Sequence, residues 1–273
     1  MQRRSAALGA LRARTLVLAL VSTLAPTWAQ DMMRHVDLSS PDMTVAEMTR
    51  DQVVAILVAA SASAPADLSG KRLNGLDLSG LDLSGVDLRA ARLNRTKLLG
   101  TRLERAVLSQ AWLLEADLSG ASLKDAILLG AQLQRAKLDG ADLSGARVAA
   151  DFSGASLVGA SIANGKLGVD SKNQSMGLMR SVLRSANLKG LNARGADLSR
   201  ADLEFASLVE ADLTGASLTG ALLGGADLTG AIVTGTDFDD ADLVSTRLIR
   251  LVGLDAAKNL DKAKNLERAQ RDK

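Results

Sequence analysis

The chain has 273 residues, of which 47% are apolar but only 2% aromatic, with no tyrosine. It has no cysteine, which excludes disulfides, thiolate metal sites and cysteine nucleophiles, and the lone His35 cannot form a catalytic triad or a multi-histidine metal site. The net charge of +2 does not indicate the concentrated basic face of a nucleic-acid binder. We therefore expect a core of leucine and alanine, no cofactor, no metal and no nucleic-acid partner.

Residues 1–29 have the pattern of a secretory signal peptide. Four arginines precede an apolar run over 16–25, and Thr27 and Ala29 place small residues at the two positions that signal peptidase reads. The apolar run is shorter than the roughly 20 residues of a membrane-spanning helix. The pattern predicts cleavage after Ala29, a periplasmic or secreted mature protein and no transmembrane segment. Retention of the leader as a membrane anchor is the alternative.

The N-terminal segment of the mature chain, residues 30–65, contains a predicted short helix over 50–61. Thr49 and Gln52 have the spacing of a capping box at the start of that helix. Its apolar face is formed by Met48, Val53, Val54, Leu57 and Val58. Because the open end of a repeat array exposes apolar side chains and unpaired backbone, we expect this helix to cap the first repeat.

Leucine then recurs every five residues, from Leu68 to Leu143 and, after a one-residue slip and a break, from Leu183 to Leu248. Alanine is the commonest residue two positions before each of these sites. A period of five matches neither a helix, at about 3.6, nor a strand, at about 2. The pattern therefore predicts a chain that turns a corner every five residues, with leucine and alanine inside.

The outward residues indicate how many corners make one coil. Charges alternate in sign at every fourth five-residue step, at Asp77, Lys97, Asp117 and Lys137. If four such steps make one coil, opposite charges lie on neighbouring strands, which is the favourable arrangement. Each coil then has four sides of five residues, whereas a three-sided coil of six-residue steps has a period of about 18.

Segments such as 116–120 (Ala-Asp-Leu-Ser-Gly) and 226–230 (Ala-Asp-Leu-Thr-Gly) match the motif A-[DN]-L-x-x letter for letter. Over residues 66–250 the chain resembles the pentapeptide-repeat family. The resemblance implies an all-β fold, a right-handed quadrilateral parallel β-helix. It also implies a protein that is not an enzyme, since the family is not known for catalysis.

Two parts of the chain depart from the repeat. The break at 168–181 is rich in small and polar residues, and is either a projecting loop that contacts a partner or a tolerated insertion. Residues 251–273 are predicted to be a C-terminal cap and basic tail. In that segment Leu254, Leu260 and Leu266 recur every six residues, a spacing compatible with short helical turns and with distorted final coils.

A cluster of apolar residues at outward positions is the candidate binding site. Val107 and Ile127 are separated by one predicted coil and should stack, with Leu129 beside Ile127 and Trp112 and Leu114 on the next side. An exposed apolar patch rimmed by charge is typical of a protein-binding surface, and tryptophan is a frequent anchor there. A protein partner, a homodimer seam and coverage by the 168–181 loop are the three interpretations.

These observations predict an exported, non-catalytic interaction or scaffold solenoid whose protein partner is unknown. The family resemblance offers a different function, because some pentapeptide-repeat proteins mimic DNA and bind type II topoisomerases. The leader and the near-neutral charge disfavour that alternative. A regulator of an enzyme, or an accessory domain, is the third hypothesis.

Overall fold

The computed structural model describes residues 36–61, 65–168 and 180–272. Residues Asp37–Lys273 form one compact unit. The signal peptide predicted over 1–29, His35 and most of the break at 168–181 lie outside the described residues. Within the described ranges, no helix is both long enough and apolar enough to cross a membrane.

Among the described residues, two α-helices precede the repeats: α1 (Pro41–Thr44) and α2 (Arg50–Ala59). Helix α1 begins at a proline, whose fixed φ suits the first helical position. At the start of α2, the Gln52 N–H donates to the Thr49 hydroxyl, and the Thr49 N–H donates to the Gln52 side chain. The helix ends two residues before the predicted boundary. Its apolar face is narrower than predicted, because Val53 is fully buried whereas Val58 is 80% exposed.

Helix α2 lies against the first coil of the repeats. Val53 belongs to the same apolar cluster as the inward leucines, and Met48, Ile56, Leu57 and Ala60 pack against that cluster. The Arg50 guanidinium donates hydrogen bonds to the backbone carbonyls of Asp77 and Ser79, at 2.6 and 3.1 Å. The helix therefore covers apolar surface that the first coil would otherwise expose to water.

Parallel bridges join the residue that precedes each inward side chain to the equivalent residue on the next coil, as in Asp67↔Asp87. These bridges define four sides of each coil. We call these side A, which starts at Asp67, side B at Arg72, side C at Asp77 and side D at Asp82. The inward Leu68 donates its N–H to the Asp87 carbonyl on the next coil, and the Asp87 N–H donates back to the Ala66 carbonyl. This pattern pairs the backbone between coils, as the burial of the inward residues requires.

Within the part of the chain that the structure describes, four segments are long enough to be strands, in two parallel pairs. Strand β1 (Ile127–Gln132) pairs with β2 (Arg147–Asp151), and β3 (Arg247–Leu248) pairs with β4 (Gln270–Arg271). Strand β2 lies at the predicted one-residue slip. There the spacing of bridged residues falls to 19, as in Lys137↔Ser156, and across the break it rises to 31, as in Asp151↔Val182. The coils therefore continue to pair on both sides of the break.

The core is a column of leucine and alanine. The inward leucines are at most 3% exposed, and Phe152 and Phe238 are the largest fully buried side chains. At most corners the chain turns at the second residue after an inward leucine, where φ is positive; Gly80 (φ 70°) and Arg95 (φ 55°) are examples. Because glycine adopts this conformation without steric cost, it is common at these corners.

The last coil has longer sides, each with a 3-10 turn. The turns are η1 (Leu254–Ala256), η2 (Leu260–Lys262) and η3 (Leu266–Arg268), and each follows a residue in the left-handed conformation. The spacing of bridged residues grows along this coil, from Ile232↔Val252 through Asp237↔Lys258 and Asp242↔Lys264 to Arg247↔Gln270. The segment thus has short helical turns within a distorted coil, which combines the two interpretations of its six-residue period.

Outward charges form ion pairs between coils. Glu115 lies between Arg95 and Arg135, at 3.0 and 2.7 Å. Hydrogen bonds from Arg135 and Arg95 lower the pKa of Glu115 from its usual value of 4.5. Hydrogen bonds from Ser79 likewise lower the pKa of Asp77. The ion pairs are exposed, so each contributes at most about 1 kcal/mol.

We expect the stability of the protein to fall in acid. A carboxylate whose pKa is lower in the folded state stabilises it fully above the unfolded pKa, and this contribution is lost as the pH falls through the folded pKa. The midpoint of urea unfolding should therefore be flat between about pH 7 and 5.5 and decline below about pH 4.5. The Glu115→Gln variant should show a slightly smaller decline. A midpoint that is constant down to pH 3 would contradict this assignment.

Candidate partner-binding surface

The structure places the five predicted site residues around the corner between sides A and B, but with less exposure than predicted. Val107 is bridged to Ile127 on side A, and Trp112 is bridged to Arg92 and Gln132 on side B. Leu129 pairs with Ala149 in the β1–β2 sheet. Val107, Trp112, Ile127 and Leu129 are all partly buried. Their predicted stacking is therefore present, as a half-exposed apolar strip.

Leu114 was predicted to lie in an exposed patch, and this prediction is wrong, because the residue is only 6% exposed. Residues 37–45, which we call the N-terminal arm, run along side B and cover it. Leu38 and Met43 of the arm line a small cavity of about 30 Å³ together with Asn94 and Leu114. The apolar side chain at position 114 is thus explained by the arm, a cover that was not among the three interpretations of the patch.

Two buried asparagines on side B hold the arm, and the sequence analysis missed both. Asn74 and Asn94 are 4% and 5% exposed and lie one above the other on adjacent coils. Their side-chain oxygens accept the N–H groups of Asn94 and Leu114, at 3.1 and 3.0 Å. The Asn94 amide donates to the Met43 carbonyl at 3.1 Å, and the Asn74 amide donates to the carbonyls of Asp42 and Val45 at 3.0 and 3.3 Å. Because buried amides must be hydrogen bonded, asparagines at this spacing could have indicated a covering segment.

Ion pairs add a second attachment for the arm. The Asp42 carboxylate lies 2.7 Å from Arg72 and 3.9 Å from Arg92. Beyond the arm, Glu47 pairs with Arg72 at 3.3 Å and with Lys71 at 3.5 Å. The Asp42 side chain is 57% exposed, so its ion pairs contribute little to the free energy that holds the arm on side B. Met43, which is buried, and the two asparagines are therefore the main attachments of the arm.

Side B continues past the arm with polar groups that are incompletely paired. The Gln134 amide donates to the side chains of Gln132 and Asp151, at 2.9 and 2.8 Å. Its side-chain oxygen is buried and has no hydrogen-bond partner among the described residues. Trp112, on the same side, is only partly covered. This region of side B therefore combines a buried, unpaired acceptor with a partly covered tryptophan.

The chain returns from the break through a buried ion cluster. Asp202, whose side chain is 3% exposed, accepts a hydrogen bond from Arg184 at 2.9 Å and lies 3.6 Å from Arg180. Arg184 also pairs with Glu204. Of the 168–181 loop, only Gly168, Arg180 and Ser181 are among the described residues. The cluster fixes the point at which the loop rejoins side B.

Phe205 is a second surface feature that the sequence analysis missed. It is 64% exposed and occupies a corner with φ 59°, a conformation that is unusual for a bulky residue. Its ring lies over Gly225 on the next coil, where an added Cβ would be 2.7 Å from the ring carbon Cδ1. Strained residues persist where the surroundings or a function require them. An outward phenylalanine among corners that are usually glycine or polar was the available signal.

We expect Phe205→Gly to unfold at the same temperature as the wild type or higher. The left-handed conformation costs about 1–2 kcal/mol for a residue with a Cβ, whereas glycine adds roughly 0.5–1 kcal/mol of backbone entropy to lose on folding. Phe238→Ala, at a fully buried site, is the control and should lose about 3–5 kcal/mol. A large loss for Phe205→Gly as well would show that the Phe205 ring supports the fold.

The described residues offer no obvious site for chemistry. None of their histidine, aspartate and glutamate side chains forms a group of three that could hold a metal ion. A depression of about 530 Å³ between α2 and Lys71 is shallow and open to solvent, and its lining includes Glu47, Met48 and Gln52.

These features define a repeat protein of stacked, leucine-filled coils with its chemistry on the outside. The family model described as pentapeptide repeats matches residues 72–110, 88–125, 116–149, 178–215 and 206–243, with eight copies. The matched ranges cover more than half of the chain. The protein belongs to the pentapeptide-repeat family, which confirms the resemblance. Members of this family are generally structural or binding proteins.

Solved structures of the same family are similar to this chain. One is HetL from the cyanobacterium Nostoc sp. strain PCC 7120, involved in heterocyst differentiation regulation: identity 28%, TM-score 0.37, coverage 82% of this chain and 95% of HetL. Another is QnrB1, a plasmid-mediated fluoroquinolone resistance protein: identity 21%, TM-score 0.44, coverage 70% and 90%. A third is a pentapeptide repeat protein of the Arabidopsis thaliana thylakoid lumen: identity 24%, TM-score 0.20, coverage 63% and 68%. None of the curated protein sequences is detectably similar to this chain.

Proposed function

We propose that the protein is an exported, non-catalytic solenoid that binds another protein at the corner between sides A and B. The half-exposed apolar strip of Val107, Trp112, Ile127 and Leu129 supports this proposal most directly, because other outward positions of the same coils are mostly polar. Apolar strips flanked by charged side chains are typical of protein interfaces. The family supplies the general role of a binding or scaffold protein.

The finer description of the fold is part of the same proposal. We infer a right-handed quadrilateral β-helix from family membership together with the four bridged sides. We also infer that α2 acts as a cap, since its buried Val53 joins the core cluster of the first coil. A solenoid of this kind presents flat, rigid sides, and rigid surfaces lose little conformational entropy when a partner binds.

Export follows from the leader and is tested separately. The expected mature protein begins at Gln30 and is recovered from the periplasm or the medium. N-terminal sequencing of the natural protein, combined with cell fractionation, measures both. Protein that retains Met1 and is recovered from the cytoplasm would overturn the proposed location.

The binding surface is tested by a double variant, Trp112→Ala with Ile127→Asp. Both side chains point outward, so the fold should persist, while capture of envelope proteins by the immobilised chain, or its self-association, should fall at least tenfold. Val209→Asp, at a partly exposed apolar site on side C, is the matched control and should bind normally. If the folded double variant keeps every interaction of the wild type, the surface has been assigned wrongly.

The alternative of a DNA mimic has little support. A mimic needs a continuous acidic surface, whereas on side C aspartate and lysine alternate from Asp77 through Lys97 and Asp117 to Lys137. The lysine at 97 lies 3.9 Å from the Asp77 carboxylate, so that the opposite charges offset each other locally.

A further inference from the structure

We propose that side B beneath the N-terminal arm is a peptide-binding groove, and that the arm is its resident, exchangeable occupant. The groove is formed by Arg72, Asn74, Arg92, Asn94 and Leu114. The partner that fits it is a short segment that forms a single helical turn, as Pro41–Thr44 does, in which an acidic residue is followed by a methionine-like apolar residue. This inference rests on the proposed function, because it specifies how a protein partner is recognised.

The groove binds the main chain of the arm as well as its side chains. Asn74 and Asn94 use their amide groups on three backbone carbonyls of the arm, those of Asp42, Met43 and Val45. Their side-chain oxygens are already used by the backbone of the next coil. The asparagine column is therefore held rigidly with its donors facing outward, whether or not the arm is present. A segment that forms the same helical turn as Pro41–Thr44 presents its carbonyls to these donors in the same way.

Side-chain preferences of the groove follow from its lining. The buried Met43 packs with Leu114, so this position selects an apolar side chain that can adapt to an irregular cavity. One residue earlier, Asp42 faces two guanidinium groups, which favour a carboxylate. The arm thus shows directly what a competing segment needs: an acidic residue followed by an unbranched apolar one.

The groove also continues beyond the arm. On side B beside Leu114, the Trp112 side chain is partly exposed. A longer peptide that replaces the arm gains contacts there. A competing peptide needs these extra contacts to displace the arm, because the arm is tethered and competes as if it were present at about millimolar concentration.

The test uses a fluorescein-labelled peptide of residues 37–45 and the full-length protein. Fluorescence anisotropy should show weak, saturable binding to the wild type. Met43→Asp in the protein weakens only the resident arm and should tighten peptide binding at least tenfold. Val58→Asp is the matched control: Val58 is 80% exposed on α2 and lies outside the arm, so this variant should bind the peptide as weakly as the wild type. A peptide with aspartate in place of its methionine should not bind.

A second readout locates the peptide without relying on the arm variant. A peptide with photo-methionine at the position of Met43 should crosslink to Asn94 or Leu114 of the wild-type protein, as mapped by mass spectrometry. The inference is overturned if the folded Met43→Asp protein shows no saturable binding, if all three proteins bind equally, or if the crosslink maps to another side. Such a failure leaves the Trp112 and Ile127 test of the proposed function unaffected.

Discussion

Leu118→Asp is expected to abolish folding of the repeat domain. Leu118 is fully buried in the leucine column and belongs to the core cluster of inward apolar residues. An unpaired carboxylate there loses its hydration without gaining a partner, at a cost of several kcal/mol even when it is protonated. A domain of this size is stable by only about 5–15 kcal/mol. The variant should show no cooperative thermal transition by circular dichroism and rapid digestion by proteases.

Gln110→Asp is the matched control for this charge. Gln110 is an exposed corner residue with φ 60°, a conformation that aspartate tolerates well. Its melting temperature should lie close to that of the wild type. A cooperative, wild-type-like transition for Leu118→Asp would be incompatible with the leucine column as described.

Ala126→Leu is expected to produce the second largest loss, by overfilling the core. Ala126 is fully buried two positions before the inward Leu128, and its N–H donates to the Leu123 carbonyl. The coil cannot widen at this point, because its backbone is paired with the coils on both sides. Extra methylene groups in a packed core cost about 1–3 kcal/mol. The midpoint of urea unfolding measures the loss.

Ala163→Leu makes the same substitution at an outward position of side D, where Ala163 is partly exposed. Its effect should be within about 0.5 kcal/mol of zero. Equal unfolding midpoints for the two variants would mean that the alanine column can accommodate larger side chains. A narrow core would then not explain the low aromatic content.

The repeat is predictable from sequence because its information is local. The leucine period places corners, and the charges at Asp77, Lys97 and Asp117 report which residues are neighbours on adjacent coils. Each of these signals recurs many times along the chain, so that single exceptions do not obscure them.

The arm was not predictable in the same way. The hydrogen bond from Asn94 to Met43 joins residues that are far apart in the chain, in a pairing that no period reveals. The exposure of Leu114 was therefore predicted wrongly, although the side on which it lies was predicted correctly. The strain at Phe205 was likewise not predictable, because it depends on a backbone angle that the sequence does not give.

The last described coil has longer sides than the other coils, and this difference affects how two solenoids could stack end to end. Stacked β-coils can elongate into fibres when an incoming coil matches the exposed edge residue for residue. On sides A, B and C the bridged spacing of the last coil exceeds that of an ordinary coil by one, two and three positions, at Lys258, Lys264 and Gln270. An ordinary coil with four five-residue sides therefore does not match this edge residue for residue, which makes further stacking at this end less favourable.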